Sequence, residues 1–267
     1  MRNIRLVLAY DGAAYQGFQR LKSGRSVQGE LERAWRDLTG EAARTVVAGR
    51  TDAGVHALGQ VVSFRTGAGI PVNRAATALN GRLPGSIRIR TAVEVDHAFH
   101  ARFSATARTY QYFVRRRGRP SVVYDRFSLF APGELNVPAM RRTGALLIGS
   151  HDFRSFGSPE PGKHGVRCLR SVRFKEWRGW LIVSITANAF LTGMARCLMT
   201  QFLEVGRGGA TPDEIESRLK ACDRNVAGKP APPNGLFLAR VEYDRSWLVP
   251  TGALEGRSAE AGNLERR

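Results

Sequence analysis

The chain is short of cysteine, lysine and acidic side chains, and it has no long apolar run. Cys168, Cys197 and Cys222 are widely spaced and form no CxxC pair, which argues against a disulfide framework, a cysteine zinc site and a redox dithiol. The most apolar stretch, from Trp180 to Leu191, is roughly half the length of a bilayer-spanning helix and is interrupted by Ser184, Thr186 and Asn188. The start, MRNIRLVLAYDG, passes from a short basic segment into a strand-like alternation and meets Asp11, so it does not read as a secretory signal. A cytoplasmic location is expected. Only 23 Asp and Glu stand against 41 Lys and Arg, five of them Lys and the other 36 Arg, for a net charge of +18.

That imbalance sits on an ordinary globular composition, 43% hydrophobic and 24% charged, which excludes a disordered chain. Residues 1–104 carry 15 basic and 8 acidic side chains, residues 105–245 carry 23 and 12, and the remainder carries 3 and 3. Positive surface is thus expected on both halves, while 246–267 reads as a flexible, near-neutral tail. A field of this sign favours a polyanionic partner. Nucleic acid leads a membrane surface because no basic amphipathic helix stands out, and guanidinium groups fork onto phosphates and stack on bases.

Hydrophobic period switches repeatedly between two and 3.6. Strands are expected at Arg2–Tyr10, Val46–Val47, Gln60–Phe64, Ile87–Val95, Arg108–Arg115, Val172–Phe174, Trp180–Ala187 and Leu236–Tyr243. Helices are expected from the Ser26 cap to Gly40, and over Ile70–Leu83, Val137–Ile148, Leu191–Val205 and Pro212–Ala221. No strict βαβ glycine fingerprint accompanies the alternation. The pattern therefore predicts an α+β fold with a mostly antiparallel sheet.

Three clusters are suited to chemistry. In Gly49-Arg50-Thr51-Asp52-Ala53-Gly54-Val55-His56-Ala57, Asp52 lies on a glycine-bounded polar loop, where it either caps its own turn or is free to act as nucleophile or base. Thr51 and His56 add donors beside it. From His97 to Tyr110, basic residues alternate with aromatics, as an RNA surface requires, although aromatics beside a strand also serve as core. His97 and His100 have metal-ligand spacing but no cysteine partner or acidic run, so no metal is expected. In the third cluster, Asn188 to Arg196, Arg196 sits beside an apolar helix face. It either snorkels to solvent or pairs with a carboxylate such as Asp52.

Tyr10-Asp11-Gly12, Tyr15-x-Gly17-Phe18-Gln19, Ser26-Val27-Gln28, the run Gly49–Ala57, Phe99–Arg108, Asp152-Phe153-x-Ser155-Phe156 and Asn188-Ala189-Phe190-Leu191 together resemble the tRNA pseudouridine synthase A family. The likeness runs in order from about Arg5 to Tyr243. It implies isomerisation of uridine to pseudouridine at positions 38 to 40 of the tRNA anticodon stem-loop, a cytosolic homodimer, and no cofactor. It also implies two similar α+β halves, 1–104 and 105–245, each a mostly antiparallel sheet with helices on one face, with an RNA-binding cleft between them.

Carried over by motif, Asp52 is the catalytic aspartate and nucleophile, Arg50 assists flipping of the target nucleotide, Tyr110 is a catalytic residue under the target base, where a phenol can assist loss of the C5 proton, and Arg196 is the catalytic basic partner of Asp52. Leu236 lines the uracil pocket, and Arg102 and His56 join the substrate-binding residues. One departure stands out: Thr192-Gly193 occupies the place where the family has His before Met-x-Arg, which predicts a helix that starts later or bends there. The segment 158–166 reads as an RNA-contacting loop without an assigned role. Two other readings remain open on sequence: a non-catalytic RNA-binding protein or tRNA chaperone on the same scaffold, and a metal-dependent hydrolase using Asp52, His56, His97 and His100.

Overall fold

The computed structural model describes residues 1–247, so most of the expected tail, 246–267, lies outside the described residues. In chain order the elements are β1 (Arg2–Tyr10), α1 (Val27–Thr39), β2 (Val46–Val47), β3 (His56–Thr66), α2 (Val72–Asn80), β4 (Ile87–Val95), β5 (Ala105–Arg115), β6 (Leu129–Phe130), α3 (Val137–Leu146), β7 (Gly149–Asp152), β8 (Val166–Trp177), β9 (Trp180–Ala187), α4 (Met194–Gly206), α5 (Pro212–Ala221) and β10 (Leu236–Tyr243). The α+β class with a mostly antiparallel sheet is as the periodicity predicts.

Local chemistry sets several helix boundaries. Ser26 accepts a hydrogen bond from Gly29 N–H to open α1, and Gly40 closes it in the left-handed conformation at φ 74°. Thr211 and Glu214 satisfy each other's backbone donors in a capping box that starts α5. Helix α4 starts at Met194, three residues after the apolar pattern predicts. Gly193, at φ 75°, turns the chain immediately before it, so the Thr192-Gly193 departure sets the helix start.

All the strands belong to one ten-stranded sheet in the order β4-β1-β3-β10-β5-β9-β8-β7, with β2 paired to β3 and β6 to β5. The β3–β10 and β5–β6 pairings are parallel and the others antiparallel. Ile4, Leu6, Leu8 and Tyr10 of β1 point to one face, where they share a continuous apolar core with α1, α3, α4 and α5. A smaller core around Val61, Val95, Phe99 and Ala101 covers part of the other face.

The last described strand, β10, is the seam. It lies between β3 of the first half and β5 of the second, with Phe237 opposite His56 and Leu238 opposite both Ala57 and Tyr110. This insertion brings the start of β3, the middle of β5 and the start of β10 to one place.

Candidate active site

The polar loop before β3 lies at that seam. It is held by close backbone contacts that require glycine: a Cβ on Gly12 would lie 2.0 Å from the Val55 carbonyl oxygen, and Gly17, at φ 101°, packs against the Thr51 carbonyl. Side chains hold the loop from below. The Tyr10 and Thr51 hydroxyls are hydrogen-bonded at 2.8 Å, and Gln60, fully buried, donates to the Gly49 carbonyl at 2.7 Å and to Tyr10 Oη at 3.3 Å. Burial pushes the Tyr10 phenol up to about 12, so this network is neutral at physiological pH.

Asp52 projects from the loop into an open cleft of about 790 Å³. Its Oδ2 accepts from Arg196 Nη1 at 3.3 Å, with the two side chains 31% and 21% exposed, so the pair is partly shielded from solvent. Arg196 is itself held, since its Nε donates to the Ala231 carbonyl at 2.8 Å. Helix α4 presents it from its first turn, where Met194, Ala195 and Cys197 are buried. Residues 144 positions apart thus meet.

Tyr110 and Leu236 line the same cleft, 7% and 3% exposed, and Phe190 packs edge-on against Tyr110 at 4.9 Å between ring centroids. Burial, and then the nearby Tyr10 and Asp52, push the Tyr110 phenol upward. It is therefore a neutral hydroxyl and an apolar ring rather than a ready base. Arg50 and Arg102 stand at the rim, both paired with Glu160 of the loop before β8, at 3.3 Å and 2.9 Å. Beside them Phe103 is 77% exposed and stacked on His100 at 4.3 Å. Among the described residues, seven Lys or Arg line the cleft against two carboxylates, Asp52 and Glu160.

The expectation for His56 is corrected. It is fully buried and lies outside the cleft lining, stacked on Phe237 at 4.6 Å. Its Nδ1 accepts from Gly12 N–H at 3.0 Å and lies 3.2 Å from Asp11 Oδ1, so it fixes the back of the loop rather than touching substrate. Burial lowers its affinity for a proton. Arg108, read within a basic and aromatic RNA surface, is also largely buried. Its guanidinium donates to the carbonyls of Ala48, Arg102, Ala105 and Asn188, tying together the segments that frame the cleft. Among the described residues no group of three or more His, Cys, Asp or Glu is arranged to hold a metal ion, so Asp52, His56, His97 and His100 do not form the hydrolase centre.

Tyr10, Gln60 and Glu160 are absent from the residues singled out by sequence. Tyr10 lies within a quoted motif; Gln60 and Glu160 carry no local signal, the first reading as part of a strand and the second as a lone charge in a Pro- and Gly-rich loop.

Relatives are numerous. The chain is 42% identical over 247 residues to tRNA pseudouridine synthase A of Chlorobium luteolum, covering 91% of this chain and 96% of that one. It is 39% identical over 245 residues to the protein of the same name from Caldicellulosiruptor bescii, covering 91% and 100%. The one from Roseiflexus sp. is 39% identical over 271 residues, covering 100% of this chain and 99% of that one. Among solved structures, one chain of a Cbf5-Nop10-Gar1 complex aligns over 74% of this chain and 54% of its own at 10% identity and a TM-score of 0.31, too loose a likeness to carry an inference. A family model described as tRNA pseudouridine synthase matches residues 6–104 and 145–244, which take in Asp52, Arg196 and Leu236. The chain belongs to the tRNA pseudouridine synthase family.

Proposed function

We propose that this protein isomerises uridine to pseudouridine at positions 38 to 40 of the tRNA anticodon stem-loop, with Asp52 as the catalytic residue. The observation that carries the reading is the Asp52 carboxylate in a basic cleft, held by Arg196 and sharing the lining with a buried Tyr110 and Leu236. The reaction exchanges the N1–C1′ glycosidic bond of uridine for a C5–C1′ bond and replaces the C5 proton. Both pieces stay on the enzyme, so the chemistry is an isomerisation that consumes no second substrate.

Residue types fit the steps. A flipped base needs an apolar floor and walls, which Tyr110, Phe190 and Leu236 provide. Asp52 starts the reaction by attacking the sugar or the base, or by removing a sugar proton, and in each case Arg196 fixes the direction of its carboxylate. Arg50 stands beside Asp52 in the same loop and assists flipping, while Arg102 holds the RNA backbone. The halves 1–104 and 105–245 each contribute to the cleft walls, and the RNA lies across both.

A non-catalytic RNA-binding protein or tRNA chaperone on the same scaffold would bind tRNA without isomerising it; the intact Asp52 loop, with Asp52 paired to Arg196, favours the catalytic reading. Release of tritium from tRNA labelled at uridine C5, mapped by position, tests the reading. Asp52→Asn is expected to keep the fold and tRNA affinity and to abolish release; an active Asp52→Asn protein refutes the mechanism. The homodimer and cytoplasmic location belong to the same reading and rest on the family likeness; light scattering checks the first.

A further inference from the structure

Besides Asp52, Glu160 is the one acidic side chain lining the cleft among the described residues, and it sits against Arg50 and Arg102, which the RNA reading places in contact with the substrate. Its Oε1 accepts from Arg102 Nη2 at 2.9 Å and from Arg50 Nη1 at 3.3 Å. The hydrogen bond from Arg102, with the charges of Arg102, Arg50 and Lys163 added, holds the Glu160 carboxyl below its ordinary range, so it is ionised. Two guanidinium groups converging on one anionic oxygen is how proteins bind a phosphodiester.

The arginines come from different segments, Arg50 from the loop before β3 and Arg102 from the stretch between β4 and β5. Without an anion between them their charges repel. The segment carrying Glu160 is anchored at both ends, by reciprocal backbone hydrogen bonds between Ser158 and Thr192 at 3.1 Å and by Phe153 N–H on the Gly165 carbonyl at 3.1 Å. Between these anchors residues 161–164 are exposed. The pairs from Glu160 to Arg50 and Arg102 tie this tip across the cleft mouth.

We propose that Glu160 holds the place of an RNA backbone phosphate between Arg50 and Arg102, and that an entering phosphodiester displaces it and frees the tip of the loop. The inference rests on the RNA reading of the cleft. Glu160 keeps the two arginines together while the cleft is empty, and it makes binding depend on a phosphate that can outcompete a tethered carboxylate. Binding of RNA thereby becomes selective for a backbone that presents phosphate at this point.

The probe is a tRNA transcript with cytidine at positions 38 to 40, which binds without being isomerised, titrated by filter binding against the full-length protein. Glu160→Gln is expected to tighten binding by about two- to fivefold, the range that exposed ion pairs support. The gain is expected to vanish when Arg50 and Arg102 are both Ala. An unchanged or weaker Kd overturns the proposal, as does an equal gain without the two arginines, which would reflect only a lost negative charge. Tritium release from the uridine transcript by the wild-type protein is scored separately. Release with no change in Kd refutes the role of Glu160 alone, and tightening without release refutes the isomerase reading alone.

Discussion

Replacing Arg196 by Lys is expected to slow turnover by about tenfold to a hundredfold while leaving tRNA affinity within about twofold, because a misplacement of about 1 Å at a reacting group can cost a hundredfold in rate. The guanidinium holds two partners in different directions, Ala231 O through Nε at 2.8 Å and Asp52 Oδ2 through Nη1 at 3.3 Å. A lysine has one nitrogen on a flexible stem and cannot keep both. At this separation the gross attraction is about 4–5 kcal/mol for an effective dielectric constant near 20, but solvent reaches a fifth to a third of each side chain, and a partly exposed pair retains about 1 kcal/mol. The stability change is therefore small, and a rate loss of about 1.4–2.7 kcal/mol is read almost entirely in the reaction step. Net charge is unchanged, so the salt-dependent attraction to RNA persists. Single-turnover tritium release gives the rate and filter binding gives the affinity. Wild-type turnover in Arg196→Lys, or equal losses in rate and affinity, refutes a positioning role for this side chain.

Gln60→Leu is expected to destabilise the protein by about 1–2 kcal/mol, since it strips the partly buried Gly49 carbonyl of its partner and removes a fully buried amide, and to lower Tm by about 2–4 °C for each kcal/mol. An unchanged melting midpoint would show that the loop does not depend on this support. His56 gives a pH signature. Burial lowers its proton affinity, so as pH falls through about 6.5 the unfolded chain takes up the proton first and stability declines, being fully present only above that range. Asp11, whose carboxyl is pushed up by burial but held below its ordinary value by Ala13 N–H, Arg126 and the nearby His56 together, contributes a separate loss below about pH 4. Urea midpoints between pH 5.5 and 7.5 should slope in the wild type and flatten in His56→Gln; equal slopes would exclude His56 as the origin.

Elements with their own caps or clean alternation were legible in the sequence. Strand β1 and helix α5 fall where the pattern places them because Ile4, Leu6 and Leu8 alternate and Thr211 and Glu214 form a local motif. Strand β8 extends to twelve residues beyond the short core Val172–Phe174, because Arg167, Arg170, Arg173 and Lys175 interrupt its apolar alternation on a half-exposed surface. Polar β7 gives no periodic signal at all. His56 was misplaced because it reads as a polar donor beside Asp52, whereas as the first residue of β3 it packs in the interior against Phe237. The pairing of Asp52 with Arg196 was legible only as a requirement, that a cation beside an apolar face needs a carboxylate. Its geometry depends on three strands that are distant in sequence.

Because β10 joins the two halves, the site has an order of assembly in time. Residues 236–243 leave the ribosome after every other described strand, yet β3 and β5 have no direct pairing in the sheet and meet through them. A nascent chain that already contains Asp52, Tyr110 and Arg196 thus holds the chemical groups without the strand that brings their supports into line. Pairings this remote in sequence close late and slowly. The cleft is therefore assembled only once residues 236–243 have joined the sheet.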